Sequence, residues 1–121
     1  MNTQIEQALK NDRLIDITTI GAKSNKPHKI EIAFHYIDGI VYISGLPGKR
    51  DWYANLVAHP EFTFHLKQSM QADLAARATP ITDEPTRRAL LTRVTANWNR
   101  QSELEQFVKN SPLVRVELLN A

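Results

Sequence analysis

Between Lys29 and Gly45 the chain reads K-I-E-I-A-F-H-Y-I-D-G-I-V-Y-I-S-G. Ile30, Ile32, Phe34 and Tyr36 fall on one face of an extended segment, and Lys29, Glu31, Ala33 and His35 fall on the other. Asp38-Gly39 is a two-residue hairpin turn signal, and the alternating pattern resumes at once after it. Residues 29–45 are therefore expected to form a β-hairpin. Two strands joined by two residues must be antiparallel, so the sheet contains at least this antiparallel pair.

The flanking segments supply the partners. L-I-D-I-T-T-I, after Arg13, is β-branched and ends at Gly21, as a strand would. F-T-F-H-L (62–66) alternates with Phe62, Phe64 and Leu66 on one side. M-Q-A-D-L-A-A-R-A-T alternates weakly, and its place after a polar turn favours a strand over a helix. P-L-V-R-V-E-L-L closes the chain, with Val114, Val116 and Leu118 on one face. Helices are expected over Thr3–Lys10, from Asp51 to about Ala58 before Pro60, after Thr82-Asp83-Glu84-Pro85, and from Ser102 through Val108. In the third of these, Leu90, Leu91, Val94 and Trp98 form the apolar stripe. Strands follow one another through hairpins instead of alternating with long helices. The expected class is α+β, mainly β: an antiparallel sheet or barrel with helices packed outside, in one domain spanning 1–121.

Composition narrows the chemistry. There are no cysteines, so disulfides, thiolate metal sites and a cysteine nucleophile are excluded, and the chain suits a reducing cytoplasm. The N-terminus lacks the apolar core of a signal peptide, and the longest apolar runs are too short for a membrane span. Net charge is +2, with Lys and Arg spread from Lys10 to Arg115, which argues against a nucleic-acid partner. Two local clusters remain: Lys23, Lys26, His28 and Lys29, and then Lys49 with Arg50. Two small clusters suit a phosphate or carboxylate ligand better than a long polyanion.

The second cluster lies in S-G-L-P-G-K-R-D-W-Y-A-N-L, residues 44–56, at the expected start of a helix. Helix N-termini attract anions, and glycines let backbone approach a ligand closely. A tight strand-to-helix connection, with Asp51 as N-cap and solvated cations, accounts for the same residues, and spacing alone leaves both readings open. Trp52, Asn55 and Leu56 share a helix face. Trp52 reads first as a core anchor; Asn55, if buried, needs partners, either backbone near the 44–48 loop or a ligand. The turn G-A-K-S-N-K-P (21–27) offers Lys23, Ser24 and Lys26 as anion donors. The four histidines lack metal-ligand spacing, so no metal is expected. His35 and His65 lie opposite the strand aromatics and are expected at the surface or rim. No nucleophile motif, zinc-protease motif or phosphate loop is present.

Taken together, T-T-I-G-A-K-S-N-K-P-H, the D-G hairpin, and Y-I-S-G-L-P-G-K-R-D-W-Y-A-N-L-V-A-H-P-E-F resemble the deazaflavin-dependent nitroreductase family over about residues 17–66. That family belongs to the flavin and deazaflavin oxidoreductases and has a split β-barrel related to pyridoxamine phosphate oxidase. The resemblance implies an oxidoreductase. A reduced deazaflavin (coenzyme F-420) or FMN would pass a hydride to a small organic acceptor such as a quinone, nitro compound or enone. It also implies a cofactor site: Lys23, Ser24 and Lys26 on phosphate or an acidic tail, Pro27, Ile30 and Ile32 near the ring system. Ser44, Gly45, Gly48, Lys49 and Arg50 would contact phosphate or ribityl groups, with Trp52 and Asn55 bracing that loop. Two positions depart from the family pattern. Ala22 stands where the family has Arg, and Asn25 where it has Gly. The loss of that Arg removes a bidentate anion contact and leaves FMN open beside the deazaflavin. Related barrels pair, so a homodimer is expected. The alternative on the same barrel is a non-catalytic carrier of flavin, haem or another tetrapyrrole.

Overall fold

The computed structural model describes residues 2–119; residues 1, 120 and 121 of the expected domain lie outside it. Helix α1 spans Thr3–Asn11, with the Asn2 side chain accepting from the Gln4 and Ile5 amides at its start. Strand β1 spans Leu14–Ile20, β2 Pro27–Ile37 and β3 Ile40–Ser44. Helix α2 spans Asp51–Ala58, then come β4 (Glu61–Leu66) and β5 (Ala72–Pro80). Helix α3 spans Glu84–Asn97; a 3-10 turn at Gln101–Glu103 leads into α4 (Leu104–Asn110), and β6 (Leu113–Leu118) ends the series.

The six strands close into one antiparallel barrel in the order β1-β2-β3-β6-β5-β4. Register follows the apolar faces: Ile17 pairs with Ile30 and Phe64, Ile43 with Phe34 and Val114. The β2–β3 turn needs left-handed backbone at both central residues, and Asp38 (φ 53°) with Gly39 (φ 78°) provides it. Inside the barrel Phe34 and Phe64 meet edge to face, with centroids 5.7 Å apart. Ile5, Ala8 and Leu9 of α1 and Trp52 and Leu56 of α2 join this core. The two helices sit at opposite ends. Asp12, just after α1, accepts from Ser69 between β4 and β5, whereas α2 reaches Thr19 at the far end of β1.

A second core lies outside the barrel, where Leu91 and Val94 of α3 and Phe107 and Val108 of α4 cover Ile37, Tyr42 and Leu113. This overturns the surface placement expected for His35. Its face of β2 is covered by helices instead of solvent, so His35 is 6% exposed, against the Trp98 ring at 5.1 Å. The stripe on α3 also shifts: Leu91 and Val94 are fully buried, Leu90 and Trp98 only partly, and Arg87 is buried with them. No helix among the described residues is long and apolar enough to cross a membrane.

Candidate functional site

The turn after β1 is fixed by its own backbone and by α2. The Gly21 amide donates to the Lys26 carbonyl (2.8 Å), and the Asn25 amide donates to the Gly21 carbonyl (3.0 Å). A Cβ at Gly21 would collide with the Ser24 hydroxyl and lie 2.9 Å from the His28 ring. Asn25 takes φ 56°, the left-handed conformation that asparagine tolerates, which accounts for Asn where the family pattern has Gly. Asn55, 8% exposed, ties this turn to α2. Its Oδ1 accepts from the Ala22 amide (2.9 Å), and its Nδ2 donates to Thr19 Oγ1 (3.1 Å). Asn55 thus braces the 21–27 turn, and not the 44–48 loop that the sequence suggested.

The 44–50 loop is held from the other side, by the segment before β6. Ser44, 2% exposed, donates its hydroxyl to the Pro112 carbonyl (3.0 Å). The Gly45 amide donates to the same oxygen (3.3 Å). A Cβ on Gly45 would sit 3.3 Å from the Pro112 ring and 3.6 Å from the Trp52 ring, so Gly45 lets three elements pack closely. Gly48 adopts φ 125° and donates its amide to the Asn110 carbonyl (3.0 Å). Asp51 does not cap α2. Arg50 occupies the N-cap position without a side-chain bond, and Asp51 is the first helical residue, where its charge favours the helix dipole.

These contacts leave two cavities separated by the first turn of α2. One, of about 510 Å³, gathers Lys23, Ser24, His28 and Ile30 on the β1–β2 side and Trp52 and Asn55 on the helix. The other, of about 610 Å³, takes Gly48, Lys49 and Arg50 together with residues the sequence did not single out: Tyr53, Arg87 and Lys109. The expected cradle is therefore divided. Lys26, Pro27, Ile32, Ser44 and Gly45 line neither cavity. Arg87 was missed because its role depends on packing: it sits on the buried face of α3, where periodicity predicts an apolar residue.

Cations around the barrel divide into paired and unpaired, and among the described residues Arg13, Lys29 and Arg115 are unpaired as well as those of the candidate site. On the β1–β4 side Lys67 bonds Asp16 (2.8 Å) and Glu31, and the Lys67 ammonium holds the Asp16 carboxyl below its ordinary value. Likewise Arg88 pairs with Glu84 and Glu105. Among the described residues, Lys23, Lys26, Lys49 and Arg50 have no carboxylate within 4.0 Å. Cations left unpaired beside apolar walls can receive an anionic ligand with an apolar body. The described residues hold no group of three or more His, Cys, Asp or Glu that could hold a metal ion.

Several solved structures share the fold. A conserved hypothetical protein from Mycobacterium tuberculosis aligns with a TM-score of 0.75 at 18% identity, covering 98% of this chain and 81% of its own. An FAD-binding protein from Mesorhizobium loti gives 0.63 at 16%, covering 99% and 91%. The haem storage protein from Vibrio cholerae gives 0.73 at 9%, covering 98% and 89%. At these identities the likeness is one of fold. No curated protein matches the chain by sequence. The family model of F420H2-dependent quinone reductases matches residues 1–118.

Proposed function

The chain belongs to the F420H2-dependent quinone reductase family, a family of oxidoreductases, and from that premise we propose that it binds a reduced deazaflavin between β2 and α2 and reduces a small organic acceptor. The observation that carries the site assignment is the 510 Å³ cavity, where unpaired Lys23 faces an apolar wall of Trp52 and Ile30. Ile30 is 38% exposed and offers an apolar surface for a flat ring system. When bound, the deazaflavin supplies the hydride, so the protein needs no nucleophile or acid–base pair of its own.

The chain's residues bind, orient and desolvate. Lys23 neutralises the anionic end of the cofactor, Lys26 adds positive charge from just outside the cavity wall, Gly21 keeps the turn tight enough for close approach, and Asn55 holds that turn against the helix. Trp52 and Ile30 exclude water from the ring. Ala22 offers no guanidinium, so the lysines supply that charge alone. Titration of the protein with coenzyme F-420, following the coenzyme's fluorescence, is expected to saturate with a Kd below about 100 µM. Lys23→Ala with Lys26→Ala should weaken this about tenfold without changing the melting temperature. Saturation by FMN but not by F-420 would assign the flavin instead; binding of neither would remove the reading. A carrier role on the same barrel predicts binding with no turnover of any quinone or nitro acceptor.

The cradle also has an open side. Residues Pro27–Glu31 are exposed, and β2 over this stretch pairs with β1 alone. A second copy of the chain covering Ile30 would close it, giving a homodimer; sedimentation showing only monomer at micromolar concentration would refute that arrangement.

A further inference from the structure

Away from α2, the outer face of the barrel carries three linked side chains that the redox reading does not use. Ile15, Ile17, Phe64 and Leu66 point into the core, so Asp16, Thr18 and His65 point outward. His65 of β4 stands directly opposite Asp73 of β5 on one side and Asp16 of β1 on the other. Its Nδ1 lies 2.6 Å from Asp73 Oδ1, and its Nε2 lies 2.7 Å from Thr18 Oγ1. A carboxylate only accepts, so in the neutral ring Nδ1 carries the proton and donates to Asp73. Nε2 is then the basic nitrogen, and the Thr18 hydroxyl donates to it. Asp16 does not compete for the ring, because it accepts from Lys67 (2.8 Å). The His65 side chain is 16% exposed and is held from both nitrogens.

A hydroxyl, an imidazole base and an orienting carboxylate in that order are the working parts of acyl transfer. A cavity of about 530 Å³ opens beside them, lined by Lys29, His65 and Asp73 among others, and it shares no lining residue with the two cavities at α2. Lys29 is the partner of Thr18 on β2, and among the described residues it has no carboxylate within 4.0 Å. Its ammonium can stabilise negative charge on an oxygen beside Thr18. On the other side Thr63 and Ala75 follow Thr18 in register, and these short side chains leave the hydroxyl open to approach.

We propose that Thr18, His65 and Asp73 form an acyl-transfer centre, separate from the redox site, that takes small carboxylic esters. Thr18 Oγ1 attacks the ester carbonyl while His65 Nε2 takes its proton. The bond from the acyl carbon to the alcohol oxygen breaks, His65 passes the proton to the departing alkoxide, and the acyl group stays on Thr18. Water then attacks the acyl-threonine, His65 takes a proton from that water and returns it to Thr18, and the acid leaves. Ester and water are consumed, acid and alcohol are made, and no electrons are exchanged. The centre therefore stands or falls independently of the oxidoreductase reading.

The full chain is tested with p-nitrophenyl acetate, reading nitrophenol release and, after acid quench and proteolysis, the residue that carries the acetyl group by fragment mass. Acetyl is expected on Thr18, with nitrophenol released about 100-fold faster than by Thr18→Val. Thr18→Ser should retain the activity. His65→Gln should lower it about 100-fold, and Asp73→Asn, whose carboxylate is exposed, about tenfold. Equal release by the wild-type chain and Thr18→Val, or acetyl on lysines alone, overturns the centre. Thr18 acetylation that persists in His65→Gln overturns it too, because the hydroxyl then reacts without its base. If Thr18→Val or His65→Gln lowers the melting temperature, the exposed Asp73→Asn decides, and a rate unchanged there overturns the proposal.

Discussion

His35 shows how a single side chain records the packing around it. Burial between β2 and Trp98 lowers its pKa from 6.5 to about 4, so it stays neutral in the folded protein at pH values where the unfolded chain protonates it. Between those two values the unfolded state binds more protons, and stability rises with pH. From pH 7 to pH 5 this one group should remove about 2 kcal/mol. Urea unfolding at the two pH values checks it: His35→Phe should show a loss smaller by about that amount, and equal losses would refute the assignment. Asn55→Ala removes one buried and one part-buried hydrogen bond and should cost about 1–3 kcal/mol, measured by denaturant unfolding. F-420 affinity should fall with it, because the 21–27 turn loses its tie to α2. Asn55 was visible in the sequence as an oddity, whereas His35 read as an ordinary surface or rim histidine. The choice between backbone and ligand for Asn55, and between surface and core for His35, depends on what covers each face, and local pattern does not contain that.

At the scale of elements, periodicity, turn signals and capping residues together anticipated the six strands and four α-helices, with β2 starting at Pro27 instead of Lys29 and the second hairpin strand ending at Ser44, but not the 3-10 turn at Gln101–Glu103. What they could not recover is that β3 is buried on both faces from Val41 to Ser44, one face against the barrel interior and the other against α3 and α4. Run I-V-Y-I-S reads the same whether one face or both are covered. Arg87 holds that helical layer together. It gathers carbonyls from the end of α4, from Ser111 and from the segment before α3, where the negative end of a short helix favours a cation. Arg87→Met keeps the stem but strands those buried oxygens, and should destabilise the fold by about 3 kcal/mol. Thermal unfolding measures this; a change under about 1 kcal/mol would mean that water replaces the guanidinium without penalty. Arg87→Lys should recover little, since an ammonium cannot serve four oxygens in that fan.

For the whole molecule, the hairpin at residues 29–45 foretold an antiparallel sheet, and the resemblance supplied its closure into a barrel. The division of the site into two cavities was not foretold: Lys49, Arg50, Trp52 and Asn55 share one short stretch of sequence, but the first two line one cavity and the last two the other. Closure itself rests on β6, which pairs with β3 on one edge and β5 on the other. Truncation after Pro112 should therefore abolish cooperative unfolding by circular dichroism, whereas a truncated chain that melts in one sharp transition would show that five strands suffice. The same topology sets a schedule for synthesis. β3 leaves the ribosome long before its neighbour exists, and at about 5–20 residues per second the nascent chain carries two open sheet edges for several seconds. During that interval β3, apolar on both faces, is the segment most exposed to pairing with another nascent chain, and the stretch from which a holding chaperone would gain most.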